Sequence, residues 1–187
     1  MTRALMPLAD GCEEMESVVP IDILRRAQWD VITAGLRPGP VTASRQVRLI
    51  PDRTWDEIHP ADFDVLVIPG GGTGVENLRR DPRILDAVRQ FHRDGKWIAA
   101  ICAGPKVLQD AGILGGRTVT CHPDVVSQIT QAQVREKPVM VDGRLVTGRG
   151  AGASFLFALT IVAQVDGREK AEQIAHGIVL PGGFSET

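Results

Sequence analysis

A cysteine at position 102 stands where an apolar run ends and a helix begins. Ile98, Ala99, Ala100 and Ile101 precede it, and Ala103, Gly104 and Pro105 follow. Such a run suits a strand covered on both faces. Ala103 and Gly104 permit a tight turn, and Pro105 fits the first turn of a helix, where its missing N–H is no loss. A thiol placed there meets peptide N–H groups and the positive end of a helix dipole. Both favour the thiolate, which is the nucleophilic and oxidisable form. A small buried hydrophobe is the other role open to a free cysteine in this setting.

The elements that must hold this cysteine can be read from periodicity and turn chemistry. Residues 4–9 form a first strand, with Asp10, Gly11 and Cys12 in the loop at its end. Glu13, Glu14 and Glu16 open a helix whose expected apolar stripe is Val18, Val19, Ile21, Ile23 and Leu24, and Arg25 and Arg26 close it. Acids first and bases last both complement the helix dipole. Residues 29–34 form the next strand, and 41–43 pairs with 47–50 around Ser44, Arg45 and Gln46. The unbroken apolar run 65–69 predicts a central strand that ends in a loop of glycines, residues 70–74.

A helix is expected over 82–93, with Asp81 as its N-cap and Gly95 as its stop. The strand 97–101 delivers Cys102, and a helix over 105–111 follows. A short strand, 118–121, delivers His122 and Pro123. Asp142-Gly143 between 139–141 and 145–147 is a hairpin signal, and helices over 154–165 and 169–175 end the chain. Alternating strands and helices predict an α/β three-layer sandwich with a mostly parallel sheet. In such sheets ligands sit beyond the carboxyl ends of the strands. The segments 10–16, 70–74, 102–105 and 122–124 are all expected on that edge.

Composition bounds the rest. The chain has 187 residues, and its 12 prolines and 20 glycines are spread rather than pooled in a linker, so one domain over residues 1–187 is expected. A net charge of -2 gives no reason to expect a nucleic-acid partner. The three cysteines, at 12, 102 and 121, match neither a disulfide framework nor a zinc-knuckle spacing. The apolar stretch 4–8 is too short for a signal sequence or a membrane span. These features point to a cytoplasmic protein with free thiols.

Five segments carry a family resemblance that covers nearly the whole chain. They are residues 11–16 (GCEEME), 66–71 (LVIPGG), 99–105 (AAICAGP), 120–123 (TCHP) and 147–154 (TGRGAGAS). Together they resemble the ThiJ/PfpI superfamily, of flavodoxin-like or class I glutamine amidotransferase-like fold. Within it they look like a bacterial-type member of the parkinsonism-associated deglycase (DJ-one) branch. The resemblance implies that Cys102 is the nucleophile and oxidation site, Glu16 its acid partner and His122 its histidine. It further implies an oxyanion site formed by the N–H groups of Gly71 and Ala103, with Gly70 letting the backbone approach a substrate.

The implied chemistry is coherent at each position. A carboxyl buried beside a thiolate has its pKa raised by desolvation and by like charge, so Glu16 would stay protonated and donate to sulfur. As a plain first-turn acid, Glu16 would instead be exposed. His122 suits general acid/base work on a carbonyl, and Asp124, two residues on, could orient its ring or simply end a turn. Arg26, Arg45 and Arg149 are candidates for the mouth of the site or a dimer contact. Surface charge is the alternative for Arg26, and a hairpin-linked ion pair for Arg149.

The chain also departs from the pattern. Ala43-Ser44-Arg45 stands where human-type relatives have a second cysteine, and Gly150-Ala151-Gly152 lacks the usual proline. His176-Gly177-Ile178 replaces a proline-containing segment of the outer wall. Cys12 and Cys121 sit beside expected site segments, so either could resolve an oxidised Cys102.

The implied activity is a cofactor-independent glyoxalase or protein deglycase. Its substrates would be methylglyoxal, glyoxal and their early adducts on thiols and amines, and it would need neither cofactor nor metal. A cysteine-based oxidative-stress sensor or redox-regulated chaperone is the second reading, and a cysteine peptidase or amidase the third. A homodimer is implied, with Ile21 and Arg25 of the first helix at or near the contact.

Overall fold

Alternation within the strands divides the molecule between two apolar cores, one on each face of a sheet. The computed structural model describes residues 1–185, so the last two residues of the expected domain lie outside it. The sheet is built from β1 (Arg3–Leu8), β2 (Asp30–Gly35), β5 (Arg53–Thr54), β6 (Val65–Ile68), β7 (Trp97–Ile101), β10 (Val139–Asp142) and β11 (Leu145–Gly148). Between β2 and β5, β3 (Val41–Thr42) and β4 (Arg48–Leu49) form a separate antiparallel pair. A second small pair, β8 (Thr118–Val119) with β9 (Gln133–Val134), is parallel.

The order across the main sheet is β10-β11-β7-β6-β1-β2-β5, and β10–β11 is its antiparallel pair. The run 65–68 therefore is the central strand, as its unbroken hydrophobicity predicts. On β1, β6 and β7 the residues Leu5, Leu66, Ile68, Ile98 and Ala100 point into one core, and Met6, Val65, Val67, Ala99 and Ile101 into the other. This is the period-2 division of strands buried on both faces.

Helices α2 (Gly72–Arg80), α3 (Pro82–Arg93) and α4 (Pro105–Asp110) cover the first core. The second lies under α1 (Glu14–Arg26), α5 (Ser154–Asp166) and α6 (Arg168–Gly177). The result is the expected α/β sandwich. Asp81 caps α3 by accepting from the Arg83 N–H at 3.0 Å, and Gly95 follows the helix at φ +63°.

Three sequence expectations need correction. The glycine-rich segment 70–74 is not wholly a loop, because α2 begins at Gly72. Glycines weaken helix propensity and hid it, yet Gly74 serves packing, since a Cβ there would come within 2.5 Å of the Cys12 nitrogen. Secondly, α1 buries Glu16, Ser17, Pro20, Ile23 and Leu24, whereas Val18 is 46% exposed. Its core face thus starts on an acid rather than on the valines. Thirdly, β8 stops at Val119 and pairs only with β9, so His122 does not leave a strand of the main sheet.

Candidate active site

The strand order reverses direction between β1 and β6, since β2 lies on one side of β1 and β6 and β7 on the other. A crevice opens at such a point beyond the strands' carboxyl ends. Glu16 comes from the helix after β1, Gly70 and Gly71 from the turn after β6, and Cys102 from the end of β7. The structure brings these residues together.

Cys102 has φ +63°, a left-handed conformation uncommon for a residue with a Cβ. Its N–H donates to the Gly148 carbonyl at 2.9 Å, and its own carbonyl accepts from the His122 N–H at 3.0 Å. β11 and the 120–123 segment thus hold both sides of the strained residue, as such strain requires. Residues 102–104 form the expected tight turn, with the left-handed conformation on Cys102 while Gly104 is ordinary right-handed backbone. Gly104 is needed for space instead: a Cβ on it would lie 2.8 Å from the Ile101 carbonyl oxygen.

Glu16 is 1% exposed, and its Oε2 has no hydrogen-bond partner among the described residues. Glu13 holds it there. The Glu13 N–H donates to the Gly70 carbonyl at 3.1 Å, and its carboxylate caps α1 by accepting from the Glu16 N–H at 2.8 Å. Glu13, expected as one of the acids that open the helix, is instead its N-cap, one residue ahead of the first turn.

Burial pushes the Glu16 carboxyl up to about 7; its contact with Cys102 works against the rise, and the Glu13 charge adds to it. Burial and then the Glu16 charge push the Cys102 thiol up to about 12, while the N–H groups of Gly71 and Ala103 pull it down. The expected acidification of the thiol by its N–H neighbours is therefore outweighed by burial and by the Glu16 charge. The two groups titrate as a pair, taking one negative charge near neutrality and a second only in alkali. The N–H groups of Gly71 and Ala103 face the sulfur, and the Gly70 N–H faces the Glu16 carboxyl.

His122 is placed by its neighbours rather than by the main sheet. Thr120 ties the segment down: its N–H donates to the buried Thr147 hydroxyl at 2.9 Å, and its own hydroxyl donates to the Lys137 carbonyl at 2.7 Å. The ring's Nδ1 accepts from the Asp124 main-chain N–H at 3.3 Å, so the neutral ring carries its proton on Nε2. Asp124 Oδ2 lies 3.5 Å from the same Nδ1 and is 86% exposed, which does not give the carboxylate an orienting role. Beside His122 opens a cavity of about 710 Å³, bordered by Pro123, Pro138, Arg149, Gly150 and Leu156.

The remaining candidates separate. Arg26 pairs with Asp22 one turn earlier, and Arg149 reaches Glu136 at 3.7 Å just ahead of β10. These are the surface pair and hairpin-linked pair named as alternatives, although Arg149 also borders the cavity. Arg45 stays outside, with its N–H on Glu14. Cys12 and Cys121 are free and buried in opposite cores, and burial pushes both thiols up. Among the described residues no group of three His, Cys, Asp or Glu side chains could hold a metal ion. No helix there is long and apolar enough to cross a membrane.

A mostly parallel α/β sandwich with a strained cysteine and a buried acid at its switch point defines an α/β protein that carries a cysteine at a strand-to-helix elbow. The chain belongs to the DJ-1/PfpI family, whose pattern matches residues 2–164. It is 41% identical over 183 residues to the Parkinson disease protein 7 homolog of Danio rerio, covering 95% of this chain and 97% of that one. It is 35% identical over 178 residues to the glutathione-independent glyoxalase DJR-1.2 of Caenorhabditis elegans, covering 94% of each. The crystal structure of Drosophila melanogaster DJ-1beta matches the fold with a TM-score of 0.91 at 38% identity, over 95% of this chain and 97% of that one.

Proposed function

We propose that the protein is a cofactor-independent glyoxalase and deglycase that acts on methylglyoxal, glyoxal and their early adducts through Cys102. The observation that carries this reading is Cys102 at φ +63° beside a buried Glu16 with an unpartnered oxygen. The resemblance to a named glyoxalase supports it. The Cys102 sulfur adds to the aldehyde carbon of methylglyoxal, and the carbonyl oxygen takes a proton to give a hemithioacetal. Glu16 or His122 then moves the proton on that carbon to the neighbouring carbonyl carbon through an enediol. The product is a lactoyl thioester, which one water hydrolyses to lactate and the free thiol. The N–H groups of Gly71 and Ala103 stabilise negative charge as it develops. Deglycation uses the same addition with a thiol or amine as leaving group.

The test is lactate release from methylglyoxal without glutathione, comparing the native protein with Cys102→Ser. Turnover well above background that the substitution removes is expected. Its absence with Cys102 intact and reduced overturns the assignment.

The unpartnered Glu16 Oε2 favours a second reading, an oxidation sensor, because a protonated carboxyl there can donate to a sulfinate on Cys102. For either reading we place the protein in the cytoplasm as a homodimer. Met15 and Val18, 52% and 46% exposed on α1, support a contact there. Arg25 is engaged within its own chain, by the Val31 carbonyl and Asp52.

A further inference from the structure

Two short helices, α2 and α4, begin just after the residues whose N–H groups face the Cys102 sulfur. The Gly71 carbonyl accepts from the Val75 N–H at 2.8 Å, and the Ala103 carbonyl accepts from the Lys106 N–H at 3.0 Å. The residue after Val75 is Glu76, whose Oε1 lies 2.6 Å from Lys106 Nζ. One turn further along each helix, Arg79 grips Asp110 with two bonds, Nε to Oδ2 at 2.6 Å and Nη2 to Oδ1 at 3.0 Å. Arg79 Nη1 also reaches Glu76 Oε1 at 3.0 Å, which joins the two levels.

Both links step forward along both helices, so α2 and α4 run side by side in the same direction. Aligned helix dipoles repel when parallel, and the cross-links oppose that repulsion. The Lys106 side chain is only 12% exposed, which screens its pair with Glu76 less than a surface pair. The paired fork of Arg79 on Asp110 adds directional restraint.

We propose that the Lys106–Glu76 and Arg79–Asp110 links form a ladder that sets the spacing of the Gly71 and Ala103 N–H groups around the Cys102 sulfur. Lys106 and Glu76 are therefore positioning residues for the reaction of Cys102. The inference rests on reading Cys102 as the reacting sulfur, and it holds whether the partner is an aldehyde or an oxidant.

The test measures the rate of Cys102 alkylation by iodoacetamide against pH, with Cys102→Ser as the blank for the buried thiols. Lys106→Met and Glu76→Gln each slow the reaction at neutral pH by about fivefold, the scale of one weakened hydrogen bond to a charged group. Both move the midpoint of the profile upward. A purely through-space effect of these charges on sulfur predicts shifts of opposite sign, because one substitution removes a positive charge and the other a negative one. Opposite shifts, or none, overturn the ladder.

Combining Lys106→Met with Glu76→Gln is expected to slow the reaction little more than either alone, a coupling that independent sites do not show. Should the single variants fold poorly, Arg79→Lys keeps the charge, loses the paired fork and is expected to slow the reaction in the same direction. An unchanged profile in that folded variant also overturns the ladder. Because alkylation needs no methylglyoxal turnover, loss of the glyoxalase assignment and loss of the ladder remain separate results.

Discussion

Gly70 faces Glu16 so closely that a methyl group on its Cα would lie 2.2 Å from Glu16 Oε2 and 2.6 Å from Cys102 Cβ. The missing side chain is the space in which the acid and the thiol meet. Glycine is required at this position by contact rather than by an unusual φ, whereas Gly71 carries φ +90°.

Gly70→Ala therefore displaces Glu16 or Cys102. It is expected to destabilise the fold by about 1–3 kcal/mol, as overpacking does, and to lower Cys102 alkylation by at least an order of magnitude. Gly115→Ala, where no atom lies within 4 Å of the added carbon, serves as the neutral control. Thermal melts and alkylation rates of the two variants check the contrast.

The raised carboxyl makes stability depend on pH in a stated direction. Glu16 titrates near 7 when folded against an ordinary 4.5, so the folded state holds its proton more tightly. That contribution is fully present below about 4.5 and is lost as pH rises through about 7; at ~1.4 kcal/mol per unit it amounts to roughly 3 kcal/mol. Urea unfolding of native protein against Glu16→Gln across pH 4–8 reads the difference. A native-minus-variant stability that stays flat over this window refutes the shift.

The main chain, not the carboxylate, of Asp124 holds the His122 ring. Asp124→Asn keeps the N–H and is expected to change methylglyoxal turnover by less than about twofold, the scale of an exposed ion pair. Asp124→Pro removes the N–H that Nδ1 accepts, frees the ring and lowers turnover by about tenfold. Nitrogen NMR of His122 reports the accompanying change of tautomer.

Burial separates the three cysteines. Cys12 and Cys121 are 0% and 2% exposed, so one equivalent of thiol is expected to react in the native state and three after unfolding. Treatment with peroxide should carry Cys102 to a sulfinate, because buried thiols resolve a sulfenate poorly. Mass spectrometry that finds a disulfide from Cys102 to Cys12 or Cys121 contradicts this account.

Much of the fold was legible because its signals are local. Asp81 announced its cap, Asp142-Gly143 its hairpin, and the run 65–68 its place at the centre of the sheet. Gly72–Arg80 was illegible as a helix because glycines open it, and Gly74 serves contact with the Cys12 loop, a contact between distant segments that leaves no period. Val18 and Ile23 look alike in one dimension, and only packing against the core decides which is buried.

By itself the sequence determined which groups are available: a cysteine at a strand-to-helix turn, an acid in the first turn of a helix, glycines after a central strand and a histidine before a proline. Each of these is set by residue type and by near neighbours. Tertiary structure decided that Cys102 bears the positive φ and that Glu16 is buried without a partner for Oε2. It likewise decided that Asp124 holds the His122 ring through its main chain and that Glu76 and Lys106 join two helices. The physical reason is that burial, pairing and backbone strain depend on atoms brought together across the fold, and chain order does not specify those distances.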